Sequence, residues 1–574
     1  MEKVKGKIKK FSLVIDYTVG YITLASSGSR LRQQGNVRGI VKRTSTHCIL
    51  LFVCLAAVCV DCAHRGRGFI APEGQASVEA HPKALEHFRQ GVLYDISKEY
   101  HRALVEYYQA LDYDSTSSTL YMAIARDYRA LDKLSSAIRA AERAVRVNNT
   151  ELDPHRFLAE VYKLNGETEK ARHHLRKVVL LDSADADAWY ELGTLHNDDG
   201  SLEEAVRAFR GALKAKPDFA RAHYGLGVTY EAMGKKEQAL GEFKEALTAT
   251  PKNLGLRRRI AELSVSLEKW KDAIEQYDYI VSRSPRDRVA RRMLGFLHYT
   301  EGNFSEAEAV FRDVLRADPL DVDAHFYLGR TYMELEDHFE AAEQFLKVVE
   351  LDSTDPRGWL NLAYAHLDEG EPKKAADLLF TAAERFPENS RIFYLLGVSH
   401  NRAQDYEEAI RVLKKALELE PSFVPALHDL GASYERAGMF DEAVETFRRL
   451  LKINPDHASG LNYLGYMWAE RGVHLKESLR LLRRAVSIEP ENGAYLDSLG
   501  WVYFRLGKLK EAENAVLQAL RYIDDNAVIY DHLGDIYLRQ GRLDEAVTQW
   551  QKALELDRDN EEILRKLERT KARE

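Results

Sequence analysis

A glycine or an alanine recurs along this sequence at a nearly constant interval: Gly91, Ala125, Ala159, Gly193, Gly227, Ala261, Gly295, Gly329, Ala363, Gly397, Gly431, Gly465, Gly500 and Gly534. Every step is 34 residues except that from Gly465 to Gly500, which is 35. An alanine follows each by twelve residues, as Ala205 follows Gly193, and only Ser478 departs, in the unit with the extra residue. The interval is too long for a coiled-coil heptad and fits a helix-turn-helix unit that buries its apolar face against copies of itself. The 574 residues therefore do not divide into the several globular domains that length alone implies. The repeats form one continuous body.

Inside a unit the apolar residues follow helical spacing. Ala188 to His196 sets Trp189, Leu192 and Gly193 on one side of a helix, and Leu202 to Phe209 sets Ala205 and Phe209 one turn apart on the next. The small residues let the two helices approach closely while the large ones fill the space beside them. Pro217, Pro251, Pro285, Pro319, Pro387, Pro421, Pro455 and Pro490 recur near unit ends, where a helix has to stop. Trp189, Leu192, Gly193, Ala205, Phe209 and Pro217 are similar to the tetratricopeptide pattern W-x2-L-G-x2-Y, A-x3-F, P, and Tyr162, Tyr230, Tyr332 and Tyr434 fill its tyrosine place. The resemblance implies an all-α fold, a right-handed superhelical solenoid of about 14 units over residues 84–560. A capping helix over 561–574, with Ile563, Leu564 and Leu567 on one side, is expected to close its open end.

The four cysteines, Cys48, Cys54, Cys59 and Cys62, all precede the repeats, so no disulfide or thiolate metal site supports the repeated body. Cys48 to Val60 is a run of thirteen residues without a charge, preceded by Arg38, Lys42 and Arg43. It is shorter than the roughly 20 residues a helix needs to cross a bilayer and has the length of a signal-peptide core. The expected organisation is an extension over 1–40 ahead of a true start near Val41, a signal-like segment over 41–62 and a linker over 63–83. Leu55-Ala56-Ala57-Val58-Cys59 resembles a bacterial lipoprotein processing site, with Val58 where a smaller residue is usual, which makes Cys59 the candidate for lipidation. Export to the periplasm or the periplasmic face of the outer membrane is the expectation, with membrane association through an N-terminal lipid. A cleaved soluble form and a cytoplasmic protein are the alternatives. Cys59 and Cys62 spell C-x-x-C without the helix-opening context or second pair that redox or zinc chemistry needs.

A net charge of -8 gives no global field for a phosphate backbone, so nucleic acid is not an expected partner. Gly225-Leu-Gly227 followed by Gly234-Lys235 has the wrong spacing for a phosphate loop. His196, His298, His366 and His400 stand at the tyrosine place and read as packing residues rather than a metal array. No H-E-x-x-H or G-x-S-x-G pattern occurs, and the repeats leave no room for a catalytic domain. The chain is expected to be no enzyme and to carry neither cofactor nor metal.

The resemblance implies that the first helices line a concave wall where proteins or peptides bind. The places six and three before the small residue, and one and four after it, share one helical face. They hold Tyr190, Tyr224, Phe296, Tyr299, Phe326, Tyr364, Tyr394, Tyr466, Trp501 and Phe504, with Arg221, Arg258, Arg292, Arg330, Arg357 and Arg391 through the middle and Asp497, Asp531 and Asp535 near the end. Aromatics and arginines are enriched at interface hot spots, which points to a groove for an extended segment. The competing reading packs the aromatics between neighbouring first helices and pairs the arginines with Asp187, Glu231, Glu262 and Asp323. Of a lysine and asparagine carboxylate clamp only Asn462 is present.

Leu461 to Gly472 and Ala494 to Gly507 resemble the closing repeats of bacterial tetratricopeptide proteins, including outer-membrane lipoproteins that scaffold periplasmic carboxyl-terminal processing proteases and their substrates. The resemblance implies a non-enzymatic scaffold that recruits such a protease. An assembly factor for exopolysaccharide or pilus secretion, and a cytosolic assembly hub, are the alternatives.

Overall fold

The computed structural model describes residues 81–571. It contains 29 helices and no strand among the described residues, from α1 (Pro82–Ile96) to α29 (Glu561–Lys571). Odd-numbered helices open a unit and even-numbered ones close it, as α7 (Ala186–Asp198) and α8 (Leu202–Ala215) do for the unit of Gly193. The extensive contacts all join helices one or two apart in the chain. That is the contact pattern of a solenoid of helical hairpins, and α29 packs on α28 (Leu543–Leu556) at its end.

The recurring small residue is explained by what faces it. A Cβ on Gly193 would stand 2.8 Å from the Phe209 ring, and one on Gly329 2.8 Å from Phe345. Alanine holds the place, fully buried, at Ala125, Ala261 and Ala363, where the residue sixteen on is Ala141, Tyr277 and Leu379, whereas Gly193 and Gly329 have a ring directly against the Cα. Replacing these glycines therefore overpacks the hairpin. The buried alanines twelve residues on, including Ala205 and Ala341, complete the close approach.

Each hairpin turn has one residue in the left-handed region, seven after the small residue, which accepts the backbone pattern that ends a helix. At Gly166, φ +77°, the next amide donates to the carbonyl of Tyr162. Non-glycine residues, among them Asp132 and Glu336, hold the same conformation elsewhere. The extra residue of the longer unit is absorbed by two left-handed residues, Gly472 and His474, before α24 (Leu475–Ile488) begins.

Helix starts are marked by side-chain caps: Asp185, Asn253, Asp287, Asp321 and Asn389 each accept from a backbone amide at the start of a first helix. A second tie comes from the place four before the small residue. Trp189 donates its Nε1 proton to the carbonyl of Ser183, 3.2 Å away, and Trp359 donates to Ser353, also at 3.2 Å. Arg257 does the same to Pro251, and His223 and His325 sit against the Pro217 and Pro319 carbonyls. The tryptophan of the sequence pattern thus works as a donor that clamps the loop before its helix, and arginine or histidine can replace it.

In α29, Ile563 is buried and Leu567 half-buried against the last hairpin, but Leu564 is exposed. The docked side runs through Ile563, Lys566, Leu567 and Thr570, so Leu564 does not share it. The apolar run around Cys48 to Val60 and Cys59 lie outside the described residues. No described helix is long and apolar enough to cross a membrane.

Candidate partner-binding wall

The first helices stand side by side, and their shared face changes character along the stack. Toward the N-terminus it is a lattice of ion pairs. Arg156 meets Asp185 at 2.6 Å, Lys163 pairs with Glu191, and Arg221 reaches Asp187 at 3.1 Å. An open cavity of about 540 Å³ there is lined by those same groups, Arg156, Lys163, Asp185 and Glu191. Tyr190 lies half-buried between Phe209 and Phe219, and Tyr224, 42% exposed, sits against Phe243 and under the Arg259 guanidinium.

Three arginines at the place three before the small residue share one job. Arg156, Arg258 and Arg292 each reach the capping aspartate of the next unit's first helix: Asp185, Asp287 and Asp321. Arg292 also meets Asp323 at 3.2 Å. Of the carboxylates expected to pair with the arginines, Asp187 and Asp323 do so with Arg221 and Arg292, and Glu231 takes Arg259 instead, at 2.8 Å. Glu262 has no ion pair among the described residues. These contacts staple one unit to the next, and partly exposed pairs of this kind contribute little energy each.

The middle of the wall, α13 (Arg288–Thr300) to α19 (Ser390–Arg402), is aromatic. Phe296 packs edge-on to Tyr327 at 5.2 Å, Phe326 meets Tyr327 and Phe345, and Tyr299 approaches Tyr327 at 6.1 Å. Arg330 donates to the Tyr299 hydroxyl at 2.8 Å, and Arg357 lies over the Phe326 ring while pairing with Asp355 at 2.6 Å. Tyr364 is 45% exposed, and Tyr394 is half-buried against Phe423, its hydroxyl raised by burial and by Asp429. Neither Arg330 nor Arg391 meets a carboxylate among the described residues.

The closing stretch is built differently. There α23 (Ala458–Arg471) and α25 (Gly493–Arg505) pack on each other more extensively than any other neighbouring pair of first helices. Trp501 is only 8% exposed: it stacks on His532 at 4.1 Å and on Phe504 at 4.9 Å, and donates to Glu470 at 2.8 Å. Half-buried Tyr466 has its hydroxyl raised by burial and by Glu470 and Asp497. His532 is buried and hydrogen-bonded through Nδ1 to both oxygens of buried Asp497, at 3.0 Å. Burial pulls its imidazolium down, but Asp497, with Asp531 and Asp535 behind it, outweighs that and raises the ring above its ordinary value. On α29, Lys566 bridges Asp531 at 2.8 Å and Asp535 at 2.9 Å.

The sequence did not single out the place two before the small residue. That place holds Arg259, Tyr327, Tyr463 and His532, each of which turns toward a first or second helix of the preceding unit. The signal lay in their size and polarity at a position that is Ala123 or Gly225 in other units. No group of three or more metal-ligating side chains occurs among the described residues.

A family model described as "Tetratricopeptide repeat" matches residues 158–218, 198–253, 259–312, 293–356, 360–422 and 474–528, more than half of the chain. A second model of that description matches 401–462, and one described as "TPR repeat" matches 534–567. Among solved structures, the chain is similar to the APC/C hetero-tetramer Cut9-Hcn1 at 16% identity, covering 79% of this chain and 96% of that one, with a TM-score of 0.38. It is similar to yeast Tom70 at 17% identity over 73% of this chain and 95% of that one, TM-score 0.34. MamA is 30% identical over 29% of this chain and 96% of its own, TM-score 0.27. No curated protein matches the sequence.

Proposed function

The chain belongs to the tetratricopeptide repeat family, and on that premise we propose that it is an interaction scaffold that holds an extended segment of a partner protein against the middle of its first-helix wall. One observation carries this reading: Arg330 and Arg391, which meet no carboxylate among the described residues, lie on the same first-helix face as Phe296, Phe326, Tyr364 and Tyr394. Arginines and aromatic rings supply much of the energy at protein interfaces, and a guanidinium forms its strongest bonds to carboxylates. The segment that fits presents apolar side chains to the rings and an acidic side chain or terminal carboxylate to Arg330 or Arg391. Tyr190 and Tyr224 extend the wall toward the N-terminus, while Tyr466, Trp501 and Phe504 lie beyond it in the closing stretch, where Trp501 is covered by His532 and Phe504. Arg258 and Arg292 keep its units in register.

The uncharged run from Cys48 to Val60 supports an exported location, and Leu55 to Cys59 supports a lipid on Cys59. One acyl chain holds a membrane only marginally, so stable anchoring at the outer membrane needs a second contact. The resemblance of the closing repeats supports recruitment of a periplasmic carboxyl-terminal processing protease to its substrates. Affinity capture of the full chain from its own cells, with mass spectrometry of the bound proteins and of the bait's N-terminus, tests all three. A periplasmic protease recovered with acylated Cys59 is the expected result. Cytosolic partners with an intact N-terminus would overturn the export and protease readings, and no specific partner would overturn the scaffold reading itself.

A further inference from the structure

The second helices carry mostly charged side chains outward; Tyr108 and Leu517 are isolated exposed exceptions, but two neighbouring units depart together. The place ten after the small residue, or eleven in the unit with the extra residue, is polar or charged in every other unit, for example Glu169, Glu203, Lys271 and Lys373, yet here it is Phe339. The place seventeen after is typically charged, as in Arg210, Lys244 and Arg312, yet it is Leu346 and then Phe380 in consecutive units. Phe339 is 64% exposed, Leu346 45% and Phe380 56%. Large apolar side chains at three such places are not needed for the hairpin core, which Ala341 and Phe345 already fill.

Beside Phe339 lies an open notch of about 570 Å³ between α16 (His338–Leu351), α17 (Pro356–Asp368) and the start of α18 (Pro372–Arg385). Phe339, Ala342, Leu346 and Leu362 form its apolar part, and Glu336, Asp337, Glu343, Glu369 and Glu371 face it with Lys374. Glu369 sits on His366 at 3.0 Å and Glu371 on Lys374 at 3.5 Å, while Glu336 and Glu343 have no ion pair among the described residues. The equivalent notch five units earlier shows how such an acidic notch can be filled. There Arg172, buried on α6 (Thr168–Leu181), pairs with Glu169 on its own helix and with Asp199 at the end of α7, at 2.8 Å. Ala342 occupies the place of Arg172, Phe339 that of Glu169 and Glu369 that of Asp199. Arg172 is the only arginine at its place, which is apolar in most units; beside Ala342 the acidic end of the notch is answered only by His366 and Lys374, and Phe339 and Leu346 add an apolar platform.

We infer that this outer face of α16 to α18 is a second docking surface, separate from the first-helix wall, and that it takes a basic amphipathic helix of a partner. The apolar side of that helix lies on Phe339, Leu346 and Phe380, and a lysine or arginine on its flank enters the notch toward Glu343 and Glu369, as Arg172 does from within the chain. A second copy of this protein does not fit, because a two-fold pairing of the patch sets Glu336 and Glu343 against their own counterparts. A scaffold with two such surfaces can hold two proteins at once.

The test uses the full chain and two labelled helical peptides of the same apolar pattern, one leucine/lysine and one leucine/glutamate, followed by fluorescence anisotropy. The leucine/lysine peptide is expected to bind at least about tenfold more tightly than the leucine/glutamate peptide. The double variant Phe339→Ser/Leu346→Ser and, separately, Ala342→Arg, which supplies an internal cation as Arg172 does, should each weaken it by about tenfold or more with an unchanged helical circular-dichroism spectrum. Tyr364→Ala, on the other wall, should leave it unchanged. A benzophenone on the lysine peptide should crosslink to α16, α17 or α18. The inference is overturned by no binding, by equal binding of the two peptides, by insensitivity to Phe339→Ser/Leu346→Ser, by crosslinks to first helices alone, or by a dimer of this chain that the same double variant dissolves.

Discussion

The wall from Phe296 to Tyr394 and the wall from Tyr466 to Asp535 stand on the same hairpin core, yet they use their polar groups in opposite ways. In the middle, the ion pairs are partly exposed staples such as Arg292 to Asp321, and the aromatic surface between them stays open at Tyr364. Toward the end, Asp497, His532 and Trp501 are buried in one stack, and Lys566 ties the terminal helix to Asp531 and Asp535. The loop ties differ as well: the place that holds Trp189 or Trp359 earlier is Phe393, Leu427, Leu461 and Leu496 in four consecutive later units, none of which can donate, and the tie returns only at Tyr530, which donates to the Asp524 carbonyl at 3.0 Å. Exposed pairs contribute little and leave a surface free to bind; a buried pair is costly to break and makes the surface part of the fold. One repeat pattern thus yields a wall suited to a ligand and a wall consumed by its own packing.

Breaking the buried pair should separate the two regions most strongly. His532→Ala leaves the Asp497 carboxylate buried without its partner, and a loss of about 3–5 kcal/mol is expected in chemical denaturation. Amide exchange should accelerate across α25 to α29 and stay slow in α13 to α19. The shared core offers the next test, because it should respond alike in both regions. Gly329→Ala pushes a methyl into Phe345 and Gly534→Ala one into Trp550, so each should cost about 1–3 kcal/mol. A large cost in only one region would show that the two cores are not equivalent.

The repeat core was legible in the sequence because its requirements are steric and recur at a fixed interval. Gly193 against Phe209 and Ala205 beneath them need only spacing to be recognised. The wall was legible in part: the face chosen from helical spacing contains Phe296, Tyr364 and Trp501, but spacing could not say that Tyr364 is open while Trp501 is covered. That depends on how closely one first helix approaches the next, which rests on non-local contacts and on the extra residue near Gly472. His532 and Tyr327 were missed because they lie one residue outside that face. The arginines were ambiguous for another reason. Arg258 and Arg391 lie on the same helical face, three and six before the small residue, and spacing could not say that Arg258 meets Asp287 while Arg391 meets no carboxylate among the described residues.

Titration sharpens the comparison on a smaller scale. His532 is raised in the folded protein, so the stability it contributes is complete below its unfolded value of about 6.5 and is lost as pH rises through the higher folded value. Across that window the closing segment should lose up to about 1.4 kcal/mol per pH unit, and the double variant Asp497→Asn/His532→Gln should flatten the dependence. The middle wall has no buried pair of this kind, and its amide exchange should show no matching change. The smallest effect is expected for a staple: Arg258→Gln should shift the unfolding midpoint by no more than about 1 kcal/mol equivalent, and less at high salt.

Division of labour along the wall is tested most directly by partner capture with three forms of the full chain: wild type, the middle-wall variant Tyr364→Ala/Arg391→Glu, and Val528→Arg, which alters an exposed residue of the closing wall. Quantitative mass spectrometry of the captured proteins should show the principal partner retained by Val528→Arg and lost from Tyr364→Ala/Arg391→Glu. Retention by the middle-wall variant together with loss from Val528→Arg would contradict the assignment and place binding on the wall described here as structural.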